Sequence, residues 1–284
     1  MAEIIVAKNA GFCFGVARAT AAVEQEMQNR PAGERIFTLG RLIHNEIYNK
    51  RLEAGGVTVI SAADLERLCR EATPEAPVKV FVRAHGMTAE TEALLSRLSA
   101  ENPAFSFVDC TCSFVKKIHR IAAEHGEKNA EARARTGKDD RFLAVLGSAD
   151  HPEVVGFISR FDGRRVVFNN AAEAEAILES GDIPRDGSLT PVLVAQTTHN
   201  LTEWEKTKKI TISTLPVHIF MIQYAVLRTP GRPKPHPSHA NATASSSSEG
   251  ETARTPPSST RSARTFALTP CGWSAPTSCR GSFR

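Results

Sequence analysis

The chain is short of aromatic residues, of cysteine and of long apolar runs, and each shortage excludes something. Phe, Trp and Tyr make up 6% of its 284 residues, with two Trp and two Tyr. Aromatic and basic residues do not interleave as they do where nucleic-acid bases are stacked. No apolar run approaches the roughly 20 residues that a membrane helix needs, so no membrane partner is expected. The start, Met-Ala-Glu-Ile-Ile-Val-Ala-Lys, lacks the basic and apolar regions of a secretory leader. Six widely spaced cysteines without such a leader do not read as a secreted disulfide scaffold. A cytoplasmic protein in a reducing compartment is expected.

A hydrophobic content of 41% suffices for an ordinary core, and the length allows two domains or three small ones. The net charge of +4 is unevenly spread. From Ala225 onward eight Arg/Lys stand against two Glu, about +6, which leaves residues 1–224 at about −2. A basic-protein argument for nucleic acid therefore rests on the tail alone.

The periodicity predicts strands over 4–8, 36–39, 78–82, 105–108, 142–146 and 192–195. Helices are predicted over 15–27, with Val16, Ala19, Thr20 and Val23 on one face, up to Leu52, over 88–98, from Cys112 to about His125, and around Leu201 and Trp204. Alternating strands and helices imply α/β architecture with parallel sheets. Just beyond the carboxyl ends of the strands stand Cys13, His44, His85, Cys112, His151 and Thr197, at the edge where open α/β sheets bind ligands. Two similar domains, 1–111 and 112–215, with their active edges facing one cavity, are expected.

Cys13 and Cys112 share a context, a strand end beside a helix N-terminus, where unpaired N–H groups favour thiolate. Paired thiolates fit zinc or an iron–sulfur centre. Cys110 reads as a core thiol. His44, His85 and His151 at equivalent strand ends read as imidazolium groups for a phosphate-type anion, whereas His119 and His125 inside a helix read as ordinary. Glu153, in His151-Pro-Glu153, is either a first-turn helix carboxylate or a proton carrier. Thr197 and Thr198 either cap the following helix or relay protons through a hydroxyl.

Together these segments closely resemble the 4-hydroxy-3-methylbut-2-enyl diphosphate reductases, which end the non-mevalonate isoprenoid pathway. The matching residues are Gly11-Phe-Cys13-Phe-Gly-Val, Leu42-Ile-His44-Asn, Ala84-His85-Gly86, Asp109-Cys-Thr-Cys112 with Val115-Lys-Lys-Ile-His119, His151-Pro-Glu153-Val-Val-Gly156 and Gln196-Thr197-Thr198. Their order and approximate spacing match across residues 1–215. The resemblance implies three similar α/β domains in pseudo-threefold arrangement around a 4Fe-4S cluster, with Cys13 and Cys112 as two of its three cysteine ligands. It implies that His44, His85, His151 and Thr197 bind the substrate diphosphate, that Glu153 supplies protons, and that Thr197 completes the relay. Two electrons, from a ferredoxin or flavodoxin, and two protons would remove the substrate hydroxyl as water, giving isopentenyl and dimethylallyl diphosphates.

Beyond about Leu215 the resemblance stops. The family's third cysteine, in an Asp-Thr-Ile-Cys context, and its Gly-Gly-x-Asn-Ser-Ser-Asn-Thr diphosphate loop are absent. Residues 216–284 are instead rich in Pro, Ser, Thr and Arg, a composition that predicts disorder. Read from the third base of the Met221 codon, residues 221–225 can encode Asp-Thr-Ile-Cys. The same offset over 244–256 permits Val-Val-Val-Val-Gly-Gly-Arg-Asn-Ser-Ser-Asn-Thr. Both recoveries imply a frameshift between about Leu215 and Met221, a missing third domain and an inactive chain. Two other functions are open to these residues: a zinc-dependent hydrolase using Cys13, Cys112 and His151, and a nucleic-acid-binding module using the basic tail.

Overall fold

The computed structural model describes residues 10–215 and the backbone of Phe220–Met221, all within one compact unit, Met1–Gly231. The strand expected over 4–8 and nearly all of 216–284 lie outside the described residues. Two parallel sheets form the framework. The first contains β1 (Arg35–Leu39), β2 (Val57–Ile60), β3 (Val78–Val82) and β4 (Phe105–Asp109), in the order β2-β1-β3-β4. The second contains β5 (Arg141–Leu146), β6 (Arg165–Phe168), β7 (Thr190–Ala195) and β8 (Phe220–Met221), in the order β6-β5-β7-β8. The parallel α/β class and the likeness of the two halves are as the sequence predicts.

The inner strands are nearly continuous apolar runs because both faces of each sheet are covered. In the first sheet Phe37, Leu39, Val78, Val80 and Val82 pack with Leu65, Leu68, Leu95 and Leu98, from α3 (Leu65–Glu71) and α4 (Ala89–Glu101). Their neighbours Ile36 and Phe81 point the other way, onto Ala19, Val23 and Leu52 of α1 (Phe14–Asn29) and α2 (Glu46–Ala54). The second sheet repeats the scheme. Phe142, Ala144 and Leu146 meet Ala174, Leu178 and Trp204 from α7 (Ala171–Glu179) and α8 (Leu201–Thr214). On its other face Leu143, Val145, Val192 and Val194 meet Val115, Ile118, Ala122, Val154 and Phe157, from α5 (Ser113–Thr136) and α6 (Pro152–Ile158). Each large apolar side chain so enclosed contributes roughly 1.5–3 kcal/mol.

The sequence reading stops α5 near His125, but the helix runs to Thr136 and ends on Gly137 at φ 75°. Gly126 does not break it, because the bare backbone there lies against the chain at Phe161, and an added Cβ would meet Asp162 N at 2.8 Å. Asn129 is fully buried beyond that point, with hydrogen bonds to Asp139, the Asp162 carbonyl and the Asp140 and Arg141 amides. No helix of the described residues is long and apolar enough to cross a membrane.

Candidate active site

The site is assembled from the loops that leave the carboxyl ends of both sheets. After β1 the chain turns through Gly40, at φ 70°, and reaches His44. Asn49 donates to the Ile43 carbonyl at 2.9 Å, and Asn45 caps α2 by accepting from Tyr48 N at 3.0 Å, which fixes that loop. After β3 comes His85, followed by Gly86 at φ 82°. After β5 comes His151, the N-cap of α6, with Pro152 in its first turn. Ring centroids lie 4.5 Å apart for His44 and His85, 5.5 Å for His85 and His151, and 6.0 Å for His44 and His151. One nitrogen from each ring falls within 4.8 Å of the others. Two imidazoles from the first sheet and one from the second thus share a single focus.

At two of the three rings the surroundings oppose the expected imidazolium character. Burial, followed by repulsion from His44, Arg83 and His151, pushes His85 down to about 4. Burial, with His44 and Arg83 beside it, also lowers His151. Both are neutral at pH 7. The Glu153 N–H donates to His151 Nδ1 at 3.2 Å, so the remaining ring proton sits on Nε2, a donor. A donor suits an oxyanion, whereas a metal ion would need a lone pair there.

Glu153 and Thr197 form the second part of the site. Glu153 is 2% exposed and receives the Thr197 N–H on Oε2 at 2.8 Å and the Thr197 hydroxyl on both oxygens at 2.9 Å. Burial raises its pKa, and the Thr197 hydrogen bonds oppose that rise without cancelling it. Glycine at 147 permits the approach of the two strands' loops, since a Cβ would lie 2.8 Å from Val154 and 3.0 Å from Gln196. Thr197 and Thr198 do not cap α8. Asn200 does, accepting from Thr202 N at 2.7 Å and Glu203 N at 3.4 Å, while Thr198 Oγ1 accepts from Gln196 Nε2.

Cys13 and Cys112 are the N-caps of α1 and α5, and neither side chain makes a capping hydrogen bond. Cys13 is exposed and Cys112 half-buried, both as free thiols. The start of α1 lies against Cys112, because a Cβ on Gly15 would stand 2.7 Å from its Sγ. Arg18 reinforces the contact through the Cys110 and Thr111 carbonyls. Two uncommitted sulfurs at neighbouring helix N-termini fit a thiolate-ligated metal group. Cys110 is buried, its thiol pushed up to about 11 by burial, and Cys69 is raised likewise. The zinc set Cys13, Cys112 and His151 does not come together, since the metal-ligating group found among the described residues contains the three histidines and no cysteine. Phe12 and Phe14, either side of Cys13, are 48% and 63% exposed.

His119 is less ordinary than its helical position suggests. It is 7% exposed, and its buried Nε2 has no hydrogen-bond partner. A Cβ on Gly86 would lie 2.7 Å from its ring, and one on Gly156 would lie 2.8 Å from Nε2. The ring is thus wedged between the loop of His85 and the helix of Glu153, edge-on to Phe157 at 5.7 Å. Burial drives it down to about 3. The sequence carried a sign of this, since His119 shares an apolar helix face with Val115 and Ala122.

A sequence profile of the family described as LytB protein matches residues 4–225. The 4-hydroxy-3-methylbut-2-enyl diphosphate reductase of Caldanaerobacter subterraneus subsp. tengcongensis is 32% identical over 173 residues, 61% of this chain and 52% of that protein. Its counterpart in Geobacter sulfurreducens is 39% identical over 173 residues, 61% and 51% of the two chains. The solved E-1-hydroxy-2-methyl-but-2-enyl-4-diphosphate reductase of Plasmodium falciparum shares the fold, with a TM-score of 0.56 and 22% identity over 76% of this chain and 57% of that one. The chain spans about half the length of the curated relatives it matches.

Proposed function

This chain belongs to the LytB protein family, and we propose that it derives from an iron–sulfur reductase that converts 4-hydroxy-3-methylbut-2-enyl diphosphate to isopentenyl and dimethylallyl diphosphates. The observation that carries this reading is the shared focus of His44, His85 and His151, delivered by both sheets, with Glu153 on α6 just after His151 and its partner Thr197 just beyond β7. The imidazole N–H groups of His44, His85 and His151 hold the diphosphate, and Thr197 joins them when its hydroxyl turns from Glu153 to a phosphate oxygen. Glu153, raised by burial, passes protons to the allylic carbon or the departing hydroxyl, and Thr197 orients it. The enclosed carboxyl excludes competing water.

Cys13 and Cys112 supply two of the cluster's three protein ligands. A cluster bound there would pass the donor's two electrons one at a time and offer a Lewis-acidic iron for the substrate hydroxyl. With two protons the hydroxyl leaves as water. A ferredoxin or flavodoxin in the cytoplasm is the proposed electron source. Domain limits at 1–111 and 112–215 belong to the same reading, as does a frame change between about Leu215 and Met221. The profile match ends at residue 225, a few residues beyond that point. On this reading the 284-residue chain lacks its third ligand and is inactive, while the restored frame encodes an active enzyme.

Anaerobic reconstitution with iron and sulfide tests the cluster. Absorption near about 400 nm, from thiolate–iron charge transfer, is expected, whereas a zinc protein stays colourless. Failure of the restored-frame chain to acquire colour would remove the reading's basis. Sequencing the gene across codons 210–260 tests the frame: an uninterrupted frame whose alternative register lacks both motifs would count against it.

A further inference from the structure

Arg83 lies directly after β3. Its register neighbour is Gly40, because Leu39 pairs with Val82. A Cβ on Gly40 would stand 3.1 Å from Arg83 Nη1 and 3.5 Å from Cζ, so the bare glycine at φ 70° leaves room for the guanidinium to lie over the carboxyl end of β1. That places it between the loop leading to His44 and the loop carrying His85.

The guanidinium is half-buried and, among the described residues, makes no hydrogen bond and no ion pair. Elsewhere in the first sheet's surroundings, arginines of similar or greater exposure are paired, Arg35 with Glu71 and Arg97 with Glu66 and Glu101. A guanidinium cannot shed its proton, so this half-buried one keeps its full charge, and without an acceptor its donors stay open to a ligand. The charge of Arg83 is felt by both His85 and His151, which it helps to keep neutral. No carboxylate contributes to its own environment. His85 and His151 offer directional N–H donors but little charge at neutral pH, whereas a diphosphate carries two or more negative charges. Arg83 is a permanent cation beside them.

We propose that Arg83 is a substrate-binding residue that supplies the permanent positive charge for the diphosphate, its planar fork taking two phosphate oxygens while His44, His85 and His151 orient the rest. The inference rests on the reading of the histidine focus as a diphosphate site. A guanidinium–phosphate pair of this kind is worth roughly ten- to hundredfold in affinity.

The test is calorimetric titration of the 284-residue chain with inorganic diphosphate, comparing wild type with Arg83→Gln and Arg83→Lys. The expected result is a loss of at least about tenfold for Arg83→Gln and a smaller loss for Arg83→Lys. Wild type and Arg83→Gln binding equally well would overturn the role of Arg83 and leave the histidine site standing. No binding by wild type would overturn both. A second measurement, independent of any effect of Arg83→Gln on folding, uses the unmodified protein, in which phenylglyoxal labelling of Arg83 is followed by mass spectrometry. Protection by diphosphate supports the assignment, and an unchanged labelling rate at saturating diphosphate contradicts it.

Discussion

Thr197 commits both of its donors to Glu153, the backbone N–H at 2.8 Å and the hydroxyl at 2.9 Å from each oxygen. The two residues come from different strand ends of one sheet. The carboxyl is therefore held in place by a neighbour that also decides how readily it gives up its proton.

Replacing Thr197 by Val removes the hydroxyl and leaves the N–H. Hydrogen bonds to the ionised carboxyl are what oppose the upward push of burial, so the Glu153 titration midpoint should rise further. A charge-assisted bond of about 1.5 kcal/mol corresponds to about one pH unit. Infrared titration of the carboxyl band, identified by its loss in Glu153→Gln, measures the midpoint. A midpoint that stays put or falls would show that the hydroxyl does not stabilise the carboxylate.

The buried histidines make the fold acid-sensitive. His119 and His85 are held at about 3 and about 4 against a usual value of 6.5. Both folded-state values are depressed, so the unfolded chain takes up protons first as pH falls. Stability should be complete above about pH 6.5 and decline progressively towards pH 3–4. At about 1.4 kcal/mol per pH unit, His119 alone accounts for a loss of a few kcal/mol. Urea denaturation at a series of pH values should show a shallower decline for His119→Leu than for wild type. Parallel declines would mean that His119 does not titrate in this window.

Gly86→Ala should be costly twice over. The new Cβ would lie 2.7 Å from the His119 ring and 3.1 Å from Thr111, at a backbone φ of 82°. Strain and overpacking together predict a loss of about 2–4 kcal/mol in a denaturant titration, together with weaker diphosphate binding because His85 is displaced. Unchanged stability would place the His119 ring elsewhere.

Much of this was readable in the residues. The apolar runs that became β3, β5 and β7 are inner strands, and each is followed by a candidate site residue. The edge strands β2 and β6 escaped notice because each is four residues long and β2 exposes both of its middle residues, so neither gives a clear period. The helices α3 and α7 were missed with them. The positions of the histidines followed from the strand ends, but the lowered values of His85 and His151 did not, because they depend on burial and on charges brought together by the fold. Arg83 passed unremarked, since a lone arginine after a strand reads as surface until its partners are counted.

Among the described cysteines, two kinds are expected to behave differently. In the restored-frame chain, Cys13→Ser or Cys112→Ser should each remove most of the iron retained after anaerobic reconstitution, assayed by iron content and visible absorption. Cys69→Ser and Cys110→Ser should retain it, because those thiols are buried in the core. Equal iron loss from all four would mean that iron is held nonspecifically.

The most direct measurement is turnover. Anaerobically reconstituted chains, one of 284 residues and one with the reading frame restored, are supplied with a reduced low-potential donor and 4-hydroxy-3-methylbut-2-enyl diphosphate. Formation of isopentenyl and dimethylallyl diphosphates by the restored chain and none by the 284-residue chain is the predicted result. No product from a fully cluster-loaded restored chain, or equal turnover by both, would contradict the account.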